Sequence, residues 1–192
     1  LMIADIYTRS HGRLSFLVPV SGSGKGRARR VLFQPLSMLY FTANYKKGKS
    51  LSRISDVQPY MLYSTVQSDV VKSSIALYLS ELLTFALREE GGDEALFNFL
   101  DRSLVLFDNL ENGYADFHLV FMVQLLRYLG IYPNLEGYTA RSYVDLLHGC
   151  VVNEHPLHPD FLMPAEAVPF VNLLRTGYDS MHMLSLNREL RG

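Results

Sequence analysis

At Pro59 the hydrophobic pattern of this 192-residue chain changes period, and that change constrains its fold more than any other feature. Before Pro59, runs at residues 2–8, 13–20, 31–44 and 50–57 are rich in Val, Ile, Leu, Phe and Tyr. Turn residues separate them, which is the signature of short strands. After it, Val70, Val71, Ile75, Leu79, Leu82, Leu83, Ala86 and Leu87 recur at spacings of three and four, which predicts a helix within 66–90. Ser68 or Asp69 can cap that helix, and Gly91-Gly92 stops it. Three more helices are predicted at 94–110 behind Asp93, at 114–129 before Gly130, and at 164–175 with Pro164 in its first turn. An amphipathic fifth is predicted at 179–190. Near 131–163 the periodicity fails at Pro133, Gly137, Gly149, Pro156 and Pro159, leaving an irregular insert with a short helix expected at 140–148. The chain thus reads as α+β and multi-domain, with a β domain at 1–58 and an all-α helical domain at 59–192.

The connections in the β half are unusual. His11-Gly12 makes the first. The second is Gly22-Ser23-Gly24-Lys25-Gly26-Arg27-Ala28-Arg29-Arg30, with three glycines, four cations and no acid. Asn44-Tyr45-Lys46-Lys47-Gly48-Lys49 makes the third, and Pro35 predicts a bend or an edge position in the long third strand. Short strands joined by basic loops suit a small Greek-key barrel of the OB-fold kind. That barrel has five strands, and four are counted here, so its first strand is expected before Leu1.

Charge divides the same way. Residues 1–53 hold ten Lys and Arg against one acid, Asp5, and residues 54–192 hold eight against eighteen acids. A module with nine excess positive charges points to a polyanionic partner. The single Cys150 excludes a disulfide framework, and no apolar run approaches the ~20 residues of a membrane span. A cytoplasmic, nucleoid-associated protein with no membrane partner is expected. Gly22-Ser23-Gly24-Lys25 is not a phosphate-binding P-loop, because Pro19 replaces the first glycine, Gly26 follows the lysine, and a strand is predicted where a helix is needed. No nucleophile, base and acid set stands out, so no enzyme is expected.

Three ordered pieces resemble the RecO recombination mediator family: Tyr7 to Leu14 followed by the loop ending Ala28-Arg29-Arg30, then Leu32-Phe33-Gln34-Pro35-Leu36, then Ala76 to Leu83 with Leu125 to Pro133. The resemblance implies an N-terminal OB-fold, a C-terminal helical domain and a non-catalytic role in DNA repair. Members bind single- and double-stranded DNA, anneal strands, and help load recombinase onto DNA coated by single-strand-binding protein, with a partner called RecR. Many hold zinc with four cysteines after the segment matching Gly130 to Pro133. Only Cys150 is present here, so no cofactor is carried over.

The candidate nucleic-acid residues are Arg13, Lys25, Arg27, Arg29, Arg30, Lys46, Lys47 and Lys49, which would neutralise phosphates, and Tyr45, which would stack on a base. The plain alternative for the cations is a solubilising face. Of the aromatics of this half, Phe16, Phe33, Tyr40, Phe41 and Tyr45, most are expected in the core, and alternation leaves only some pointing outward. His148, Cys150, His155 and His158 are metal-ligand types, but their spacing matches no standard finger. Glu81, among leucines, is expected to be partly buried and structural. By the resemblance, a groove of the helical domain takes the acidic, apolar tail of single-strand-binding protein, with Arg127 or Arg141 as the cation. The competing reading is a protein-interaction adaptor without DNA binding.

Overall fold

The computed structural model describes residues 1–20, 30–45, 51–88 and 91–184. The chain divides into two compact units, Leu1–Glu111 and Asn112–Gly192.

The first unit opens with four strands: β1 Met2–Thr8, β2 Gly12–Val18, β3 Met38–Ala43 and β4 Ser52–Met61. Their order in the sheet is β1-β2-β4-β3. β1 and β2 form an antiparallel hairpin, with Thr8 opposite Gly12 and Met2 opposite Val18. Gly12 takes φ 69° in that turn, a conformation glycine adopts at no steric cost. β3 and β4 form a second antiparallel pair, and β2 runs parallel to β4 at Phe16–Ser52 and Leu17–Arg53. Phe16, Val18 and Ile54 are buried at the centre, with Met2, Ala4, Ile6, Phe33, Phe41 and Val57 packed around them.

Two expectations change here. The third strand is shorter than 31–44, because residues 30–37 turn instead of extending. Phe33 N–H donates to Arg30 O and Ser37 N–H to Gln34 O, each at 3.0 Å. In the second turn Pro35 fixes φ and Leu36 takes φ 60°. Pro59 is not a boundary but lies within β4, opposite Leu39 at a register shift. A proline inside a strand is tolerated where the ladder is irregular.

Two helices complete this unit: α1 Val70–Ala86 and α2 Glu94–Asn109. The carboxylates of Asp69 and Asp93 cap them, accepting from Lys72 N–H and Leu96 N–H at 2.9 Å. α1 buries Ile75, Ala76 and Leu79, while Glu81 is exposed rather than buried. α2 buries Leu96, Phe99, Leu100, Leu104 and Phe107. A polar knot ties the segment before α1 to the end of α2. Asp108, 2 % exposed, accepts N–H donors from Ser64, Thr65 and Val66 at 2.8–3.0 Å. Lys72, 1 % exposed, donates from Nζ to Thr65 Oγ1, Asp108 O and Leu110 O at 2.6, 2.9 and 2.6 Å. Burial pushes the Asp108 carboxyl up, but the three backbone donors and the Thr65 hydroxyl outweigh it and hold the carboxyl below its ordinary value.

The second unit is not all-α. It holds a 3₁₀ turn at Tyr114–Asp116, α3 Phe117–Tyr128, α4 Pro164–Arg175 and a 3₁₀ helix at Tyr178–Met183. It also holds a three-stranded sheet of β5 Tyr143–Asp145, β6 Cys150–Val152 and β7 Phe161–Leu162, ordered β6-β5-β7. β5 stands where a short helix was expected at 140–148. Tyr143-Val144 is aromatic and β-branched, and Val144, Ala167 and Val171 bury one another against Leu162 and Phe170. The expected fifth helix is 3₁₀ in its first part, and its remainder lies outside the described residues.

Candidate nucleic-acid interface

Most of the expected cationic site falls on residues outside the described ones: Lys25, Arg27, Arg29, Lys46, Lys47 and Lys49. What the structure places is where their segments leave and re-enter the sheet. One basic segment begins just after β2 and ends at the exposed Arg30. The other joins β3 to β4. Arg53, in β4, is also exposed. Arg13 differs from expectation in its setting. Its side chain is only 20 % exposed, and its guanidinium pairs with Asp5 at 3.0 Å across the β1–β2 hairpin. The Ser15 hydroxyl, also bonded to Asp5, together with Arg13 holds that carboxyl below its ordinary value against burial. Arg13 therefore balances the one acid of this half of the chain.

The aromatics sort by strand alternation. Phe16 and Phe41 meet edge to face in the core, with centroids 5.1 Å apart. Tyr45 is half-buried, and its ring stands edge-on to His11 at 4.6 Å. Tyr40 is one of the aromatics that point outward and is 62 % exposed. Tyr60 was hidden from a sequence reading that ended the β half at Pro59. It is 46 % exposed and packs edge-on to Tyr40 at 5.1 Å.

In the second unit, Arg127 and Arg141 are both exposed. The Arg127 guanidinium lies 4.0 Å above the Tyr132 ring. Exposed Tyr128 and Ile131 follow it in sequence.

The four metal-type residues separate. His148 and His158 converge on Asp145, which sequence reading missed, with ligand atoms within 4.8 Å of one another. Cys150 and His155 stay outside that group, and His155 packs on Tyr143 and Phe161. One cysteine cannot supply a four-thiolate zinc site. Nor does the trio favour a cation. His158 Nδ1 accepts Asp160 N–H at 3.2 Å, so a neutral His158 carries its proton on Nε2 and donates it to Asp145 Oδ2 at 3.1 Å. That leaves Nε2 no lone pair to offer. His148 bonds the same oxygen through Nδ1 at 2.8 Å, and its backbone N–H donates to Oδ1 at 2.9 Å. The trio is a hydrogen-bonded clasp joining the loops after β5 and before β7. Burial pushes the Asp145 carboxyl up, yet the bonds from His148 and His158 hold it far below the usual carboxylate range. A depressed carboxyl stabilises the fold above its ordinary value of 3.8, and that contribution is lost as pH falls further. Asp145→Asn is accordingly expected to lower the thermal midpoint at pH 7 and to shrink its fall as the pH drops below about 4. Equal acid sensitivity of variant and wild type would show that the clasp carries no such coupling.

No helix among the described residues is long and apolar enough to cross a membrane. The family profile described as Recombination protein O N terminal matches residues 2–63, and that described as Recombination protein O C terminal matches residues 67–141. The chain is 43 % identical to the DNA repair protein RecO of Phocaeicola vulgatus over 186 residues, covering 97 % of this chain and 77 % of that one. It is 40 % identical to the Bacteroides fragilis protein over 190 residues, covering 98 % and 78 %. Against the Porphyromonas gingivalis protein the identity is 33 % over 193 aligned positions, covering 98 % and 79 %. β1–β4 lie within the N-terminal match and α1–α3 within the C-terminal one, in the order of the family's two halves: the chain belongs to the RecO family of DNA repair proteins.

Proposed function

We propose that this chain is a non-catalytic recombination mediator that binds single- and double-stranded DNA and anneals complementary strands. The observation that carries this reading is the ten-to-one excess of cations over acids in residues 1–53. Phosphates neutralised by Lys and Arg release condensed counterions, and two strands repel less when a cationic module lies between them. Annealing by this route needs no nucleophile and no metal. The strand order supports an OB-type barrel. Two antiparallel pairs joined by a parallel β2–β4 contact leave β1 and β3 as edges, and one further strand between those edges would close the ring.

The helical part is the side for protein partners: a RecR-like protein and the acidic, apolar tail of single-strand-binding protein. Arg127, exposed beside Tyr128 and Ile131, offers the cation next to apolar surface that such a tail requires. In this role the protein helps recombinase load onto coated DNA in the cytoplasm, at the nucleoid.

The test is anisotropy of a labelled single-stranded oligonucleotide across a salt series with the full chain. Binding that weakens linearly in log–log form is expected. A chain that is folded by circular dichroism yet ignores the oligonucleotide at low salt would remove the DNA reading and leave the protein-adaptor reading.

A further inference from the structure

We propose that this chain associates with a second copy of itself through the outer face of α1, the two helices lying antiparallel about a twofold axis between Leu77 and Tyr78. The proposal concerns this helix alone and stands whether or not the sheet binds DNA.

α1 is apolar on both sides. Lys72, Ile75, Ala76 and Leu79 lie on one side and are buried. At 3.6 residues per turn, Val70, Ser74, Leu77, Tyr78, Glu81 and Phe85 fall within an arc of about 100° on the other. All six are exposed. Val70, Leu77, Tyr78 and Phe85 are 81, 51, 46 and 69 % exposed. A helix with only a core to face would carry charge on this side. Within residues 70–86 the charged residues are Lys72, which is buried, and Glu81. With Val71, the outward apolar side chains offer roughly 500 Å², taking ~200 Å² for a whole aromatic one, an area at the upper end of what monomers leave uncovered.

The order of residues along this stripe selects the occupant. Turned end for end about a point between 77 and 78, the stripe maps onto itself: Val70 meets Phe85, Ser74 meets Glu81, and Leu77 meets Tyr78. Apolar falls on apolar and polar on polar, which is the self-complementarity that a twofold interface requires. The Ser74 hydroxyl, which donates to Val70 O at 2.8 Å within the helix, can turn to the partner's Glu81. The two Glu81 carboxylates stand about 10 Å apart along the helices, and the opposed helix dipoles attract. Arg88, whose guanidinium lies 5.4 Å from the centre of the Phe85 ring, comes to the end of the partner helix that Asp69 caps. A parallel arrangement would set Glu81 against Glu81. An acidic peptide or a nucleic acid would meet Glu81 at the middle of the face. Two copies together bury about 1,000 Å² here, the low end for a specific interface, so a dissociation constant in the micromolar range is expected.

The experiment is sedimentation equilibrium of the full chain without DNA, between about 1 and 200 µM, a range that brackets such a constant. Wild type is expected to rise from the mass of one chain to that of two. Leu77→Glu, which gathers four carboxylates about the axis, is expected to stay at one chain throughout with an unchanged circular dichroism spectrum, since Leu77 is exposed. Oxidative cross-linking in a Cys150→Ala background reads the orientation. Leu77→Cys, beside the axis, is expected to link to its own copy, and Val70→Cys, about 22 Å from its counterpart, is not. A wild type that stays at one chain at 200 µM, an association that Leu77→Glu leaves unchanged, or cross-linking at both positions would each overturn the proposal. Should Leu77→Glu not fold, the wild-type series and the two cysteine variants decide. None of these outcomes bears on DNA binding, which is read separately.

Discussion

Asp108→Ala is expected to destabilise the first unit by about 3–5 kcal/mol, the largest loss foreseen for any single change outside the apolar core. Three backbone N–H groups, of Ser64, Thr65 and Val66, end on this one carboxylate. Each donor left buried without an acceptor costs roughly 1–3 kcal/mol, reduced where water can enter. Lys72 adds to the effect, because its ammonium is buried among Thr65 Oγ1 and the carbonyls of Asp108 and Leu110. Once the loop 64–66 swings away, that cation loses one of its acceptors. Asp108→Asn keeps one acceptor oxygen and is expected to cost less than half as much. Urea unfolding of the two variants reads the difference directly. If the alanine variant unfolds within about 0.5 kcal/mol of wild type, the level of an ordinary surface substitution, the knot does not fasten the loop to α2.

Neutralising Lys25, Arg27, Arg29 and Arg30 together is the second large effect. Each phosphate contact on a single strand contributes about 0.7 to the slope of log affinity against log salt, so four lost contacts should flatten that slope by about 3. Folding should be spared, since Arg30 is exposed and the four positions lie in the connection after β2, outside the packed strands. A flattened slope with an unchanged circular dichroism spectrum would locate the phosphate contacts in this connection. An unchanged slope would assign these cations to solubility and move the interface elsewhere on the sheet.

How much was legible without coordinates follows from which forces are local. α1, α2 and α4 were readable because spacing and caps are written in adjacent residues: Asp69, Asp93 and Pro164 each stand where the helix begins. Strand 31–44 was overread because Leu32 and Phe33 are apolar, although Pro35 and Leu36 turn the chain. Family membership was legible from the order of several weak motifs. The candidate site was legible as charge, which composition states outright, but not as surface. Which of Tyr40, Tyr45 and Tyr60 reaches solvent depends on the bulge at Asp56 and on β4 continuing through Pro59. The Asp145 clasp depends on a loop contact thirteen residues long in sequence, and nothing local to Asp145 announces it.

The parallel contact of β2 with β4 has a kinetic consequence. Both hairpins of the sheet can zip from their own turns, but Phe16 meets Ser52 only after the chain between them has been brought round. That closure is slow relative to local turns, and its entropy rises only weakly with added length, by about 0.6 kcal/mol per doubling. The glycine-rich basic stretch lies inside this closing segment. Its length can therefore drift toward whatever anion contact is useful while the folding rate barely changes. Like charges held close in the collapsed chain would oppose the closure, so salt or a bound polyanion should accelerate refolding of this sheet even as salt weakens its hold on DNA.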